Sequence, residues 1–145
     1  MKKIIILLAF CASLLGSPPF TLDNLKNLRI YLINNTDYIS KEQERLIKTL
    51  AKEKLQSVGI ELDRVDASTF MIKMESIKID KTYAISVQVA VGEEVMTHRK
   101  DKIQTLAFTY FMSDFMDSEE PYTDTLESVK FLLEAFVELY LEDME

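Results

Sequence analysis

The chain has 145 residues, with 24 Asp/Glu against 17 Lys/Arg, a formal charge of -7, and a single cysteine and a single histidine. That length suits one domain with an ordinary core. The acidity disfavours phosphate-rich partners such as nucleic acid and gives no basic patch for a membrane surface. With one imidazole, a metal site built mainly from histidines is excluded.

Residues 1–17 follow the secretory leader pattern. Lys2 and Lys3 give a positive start, Ile4 to Phe10 is an unbroken apolar run, and Ala12, Ser13, Gly16 and Ser17 precede Pro18-Pro19. The run falls short of the ~20 residues a membrane span needs. The expectation is a signal peptide over residues 1–17, export to the periplasm, and a single domain over residues 18–145. Cleavage after Ser13, Gly16 or Ser17 fits, although Pro18 is unfavourable directly after a cut at Ser17. Acylation at Cys11 is disfavoured because the large Phe10 precedes it. Since Cys11 lies in the leader, the mature chain has no internal disulfide and depends on its core. Loss of Lys2 and Lys3 removes two positive charges and takes the net charge from -7 to -9. The charge is uneven: residues 114–145 hold 11 acids and only Lys130.

Leu28, Ile30 and Leu32 alternate with Arg29, Tyr31 and Ile33, which predicts a first strand. After a loop at Asn34 to Asp37, Ser40 and Gln43 form a capping box for a helix whose Ile47, Leu50, Ala51, Leu55 and Val58 share one face. Gly59 and Ile60 close it as a Schellman motif. A polar link over residues 61–68 leads into three alternating stretches. These are Phe70-Ile72-Met74, then Tyr83-Ile85-Val87-Val89-Val91, then Leu106-Phe108-Tyr110-Met112, a meander in which Gly92 marks a bulge or bend. A final helix is expected from Asp124, with Glu127 as a carboxylate capping box and Leu126, Val129, Leu133, Phe136, Val137 and Tyr140 as its apolar stripe.

The expected architecture is α+β, with order β-α-β-β-β-α: a two-layer sandwich of two helices on one face of a four-stranded, mainly antiparallel sheet. The leader followed by LRIYLIN, the capped helix ending KLQSVGIEL, the meander and the terminal helix resemble small exported envelope domains of Gram-negative bacteria. The order is similar to that of the TolB N-terminal domain. The resemblance implies a periplasmic, non-catalytic protein and assigns no residue a role.

Catalysis finds little support. His98 stands beside Arg99 and Lys100 near a wet, cationic hairpin tip, a poor setting for a general base. Two glycines remain after the leader, too few for a phosphate-cradling loop. The acids Asp114, Asp117, Glu119, Glu120 and Asp124 lack the spacing of a calcium loop and read as a solvated strand-to-helix connection. No cofactor or metal site is expected. His98, Arg99, Lys100 and Lys102 form a charged tip that guards the hairpin or meets a partner. The sheet face away from the helices carries Tyr31, Ile33, Met71 and Phe111, a candidate surface for an envelope protein or a second copy. The first functional expectation is a periplasmic interaction module or adaptor for an envelope machine, in outer-membrane assembly, secretion or motility. A small-ligand or lipid carrier with a cavity between helices and sheet is the alternative, and a hydrolase is the third.

Overall fold

The structure, a computed structural model, describes residues 21–65 and 67–144. The expected leader, Cys11 included, lies outside the described residues. The elements are β1 (Asn27–Asn35), α1 (Lys41–Ser57), β2 (Glu61–Leu62), β3 (Ser68–Ile79), β4 (Thr82–Met96), β5 (Gln104–Ser118) and α2 (Pro121–Asp143).

The strands form one mixed sheet in the order β2-β1-β3-β4-β5. It has five strands where four were expected, because Glu61–Leu62 pairs parallel with β1 inside the expected polar link. A two-residue strand carries no periodicity to reveal it. β1 also runs parallel to β3, whereas β3, β4 and β5 form the expected antiparallel meander.

Local chemistry sets the limits of α1. The Gln43 backbone N–H donates to Ser40 Oγ at 3.2 Å, and the Ser40 N–H donates to Gln43 Oε1 at 2.8 Å. At the other end Gly59 takes φ +87°, and the Ile60 and Gly59 amides donate to the Leu55 and Gln56 carbonyls. That is the expected Schellman closure.

Both helices cover the same sheet face. Ile47, Ala51 and Leu55 of α1 and Val129, Leu132, Leu133 and Phe136 of α2 join one core with Leu28, Ile30, Phe70, Ile72, Met74, Val87, Val89 and Val91. Phe136 sits at its centre, edge-on to Phe70 at 4.9 Å and to Tyr110 at 5.1 Å between ring centroids. Ahead of β1, Leu22 and Leu25 are buried in the same core. The Leu22 amide donates to Asp143 Oδ2 at 2.7 Å and ties this segment to the end of α2.

Two expectations need correction. Helix α2 starts at Pro121, three residues before Asp124, with Pro at its first position and no side-chain cap at Glu120. Asp124 instead accepts from the Ser118 hydroxyl. Correspondingly, β5 runs on to Ser118, so Asp114 and Asp117 belong to a strand and not to a connecting loop. Asp114 faces α2 and accepts from Ser128 Oγ at 2.8 Å.

The second correction concerns faces. Gly92 does mark an irregularity: Val91 pairs with Tyr110 and Gly92 with Phe108, which leaves Thr109 as an inserted residue on β5. Thr109 and Ser68 both donate to the Glu93 carboxylate, which holds the bulge in place. Alternation alone puts Leu106 and Phe108 on the core side with Tyr110 and Met112; the insertion reverses it N-terminal to Thr109, so both are exposed on the face without helices.

Candidate interaction surface

Directly paired residues in a sheet project to the same side, so the register defines transverse rows on the uncovered face. Tyr31 pairs with Met71, Met71 with Ala90, and Ala90 with Phe111. This one row crosses four strands and spans about 14 Å, three inter-strand steps. Ala90 within it is fully buried although no helix lies above, flanked as it is by Met71 and Phe111. The outer rings are open: Tyr31 is 59% exposed and Phe111 37%.

The adjoining row holds Arg29, Thr69, Gly92 and Phe108. The bulge delivers Phe108 here, 53% exposed, with its ring centroid 6.2 Å from that of Phe111. Gly92 lies under this ring. A Cβ at Gly92 would stand 3.9 Å from the Phe108 ring carbons, an ordinary contact.

On the other side of the central row comes a polar waist of Ile33, Lys73, Gln88 and Ser113. Lys73 Nζ binds Glu75 Oε2 at 2.9 Å, and Asn35 Nδ2 donates to Glu75 Oε1 at 3.2 Å. These hydrogen bonds, that from Lys73 foremost, hold the Glu75 carboxyl below the usual carboxylate range. Beyond the waist the face becomes concave, with an open groove of about 850 Å³ lined by Glu75, Ile77, Ala84, Ser86, Phe115 and Asp117. Phe115 is 69% exposed at its margin.

Of the four candidate residues, Tyr31, Met71 and Phe111 therefore share one row, and Ile33 stands in the next. Sequence reasoning missed Phe108, Phe115 and Ile77 on the same face. The alternation Phe111-Ser113-Phe115 was a signal for Phe115, had β5 been continued past Ser113. His98, Arg99, Lys100 and Lys102 are exposed at the β4–β5 tip. They lie about 25 Å along the strands from the central row and are not brought into it.

The groove is also not where a carrier cavity was expected. Between helices and sheet the space is filled by Phe70, Phe136, Leu132 and Leu133, all essentially without exposure. Among the described residues no group of three or more His, Cys, Asp or Glu is placed to hold a metal ion, and no helix is long and apolar enough to cross a membrane.

No protein-family model matches the chain, and no curated protein matches it in sequence. Among solved structures, it is similar to a PelC dodecamer from Paraburkholderia phytofirmans, with a TM-score of 0.43 and 10% identity over 81% of this chain and 89% of that chain. At that score the likeness says nothing of what this chain does.

Proposed function

We propose that the protein is a non-catalytic interaction module of the cell envelope, exported by its leader, whose uncovered sheet face docks another envelope protein. The observation that carries this reading is the row Tyr31–Met71–Ala90–Phe111, joined by Phe108: an apolar strip with exposed aromatic rings at both margins. Aromatic anchors around a closely packed centre are the composition in which binding energy concentrates at protein interfaces. The polar waist of Lys73, Gln88 and Ser113 supplies hydrogen-bonding groups that fix a partner's register. Export is supported by the Lys2-Lys3 start and the Ile4–Phe10 run.

Site-specific photo-crosslinking in intact cells tests the reading. A photoreactive residue at Tyr31 or Phe111 should crosslink one discrete envelope protein, whereas the same residue at Lys48, on the solvent side of α1, should not. Equal crosslinking from all three positions, or none from the face, contradicts the reading.

The apolar groove at Ile77, Ala84 and Phe115 favours a second reading, a carrier of a small apolar ligand. Native mass spectrometry of the protein purified from its own envelope decides this. A bound lipid-sized mass released by Phe115→Ser supports the carrier, and unliganded protein removes it.

A further inference from the structure

Strand β5 closes one side of the sheet, and among the described residues only β4 pairs with it. An edge strand offers its outward N–H and C=O groups as a template for another strand. Proteins that stay monomeric blunt such edges with lysine, proline or short length. On the opposite side β2 has only two residues and pairs with Asn27 and Leu28, so among the described residues β1 from Arg29 to Asn35 is a second open edge, about half the length of β5. β5 has fifteen residues, QTLAFTYFMSDFMDS, with no lysine and no proline. Among the described residues its protection is the bulge at Thr109 and two carboxylates near its far end, Asp114 turned toward α2 and Asp117 on the uncovered face.

Charge is opposite at the two ends of this strand. The tip leading into it carries Arg99, Lys100 and Lys102, tempered by Asp101, and the far end carries Asp114, Asp117, Glu119 and Glu120. Lys78 and Lys81 near the β3–β4 turn offset part of the acidic end, but neither forms an ion pair with it. Fifteen strand residues hold the two ends about 50 Å apart, far beyond a screening length of about 10 Å. Among the described residues, every ion pair lies elsewhere: Lys41–Glu44, Lys54–Glu134, Arg64–Glu61 and Lys73–Glu75. Neither end satisfies the other within one chain.

We propose that β5 is a self-association edge, pairing antiparallel with β5 of a second copy of this chain about a two-fold axis. Antiparallel pairing sets the basic end of each copy beside the acidic end of the other, twice over. Parallel pairing would set like charges together. The two-fold arrangement is self-complementary and closes at a dimer. It extends the sheet continuously through both copies and brings Phe111 and Phe115, on the uncovered face at this edge, to the new ladder, where aromatic cross-strand pairs add stability. The inference goes beyond the docking reading, because it uses the edge and charged ends of β5 and needs no second protein.

Sedimentation equilibrium of the purified chain tests it. The natural sequence should sediment at twice the monomer mass. Arg99→Glu with Lys100→Glu should raise the dimer dissociation constant about tenfold, as should Asp117→Lys with Glu119→Lys. All four changes together restore opposite charges across the interface and should recover the original constant. These side chains are exposed, and an unchanged melting temperature of each variant, extrapolated to low concentration, confirms that the monomer fold is kept. A monomer at about 100 µM overturns the proposal. So does another stoichiometry, a dimer indifferent to both reversals, or a fourfold variant no tighter than its parents. None of these results bears on crosslinking from Tyr31, so the two proposals fail separately.

Discussion

At the scale of single residues, the two faces of the sheet assign opposite roles to the same residue type. Phe136 is wedged between Phe70, Tyr110 and Tyr140, whereas Phe108 lies on the uncovered face against Gly92. Urea unfolding should therefore show Phe136→Ala losing about 3–5 kcal/mol and Phe108→Ser losing less than about 1 kcal/mol. Tyr110 adds a pH dependence. Burial pushes its phenol up to about 12, so the folded state holds that proton more tightly than the unfolded chain, where phenols titrate near 10. Its contribution to stability is complete below about pH 10 and is lost as pH rises toward about 12. Unfolding free energies measured across that window should fall less steeply in Tyr110→Phe than in the natural sequence. Reading Tyr31, Met71 and Phe111 onto the uncovered face needed only alternation on either side of known core residues. Phe108 escaped because the Thr109 insertion arises from pairing with β4, a partner distant in sequence.

At the scale of elements, what could be read locally was read well. Both ends of α1 depend on residues within one turn: Ser40 with Gln43, and Leu55 with Gly59 and Ile60. β2 exists only because β1 offers it a neighbour. The start of α2 was misplaced because Asp124 and Glu127 imitate a capping box, while Pro121 already has the fixed φ that a first helical turn accepts. Asp124 binds Ser118 and so links β5 to α2. The two glycines of the described chain differ in the same local sense. Gly59 has φ +87° in open space, and Gly92 has room for a methyl group without the left-handed backbone. Thermal unfolding should show Gly59→Ala destabilised by about 1 kcal/mol through backbone strain alone. Gly92→Ala should be neutral or slightly stabilising, since it stiffens the unfolded chain.

At the scale of the whole molecule, the helices and five strands bury one sheet face and leave the other as a banded surface: aromatic row, polar waist, apolar groove. The α+β class and the placing of both helices on one face followed from amphipathic patterns. The groove did not, because its lining comes from β3, β4 and β5, which strand pairing brings together and composition does not reveal. The buried core lies on the helix side, and the proposed docking surface lies on the open side, so stability and binding should separate. That separation is tested most directly by the double variant Tyr31→Ser, Phe111→Ser, with melting temperature and partner binding measured on the same preparation. The account predicts a melting temperature within a few degrees of the natural protein, at about 2–4 °C per kcal/mol, together with loss of the envelope complex. A variant that melts much earlier, or that binds its partner undiminished, contradicts it.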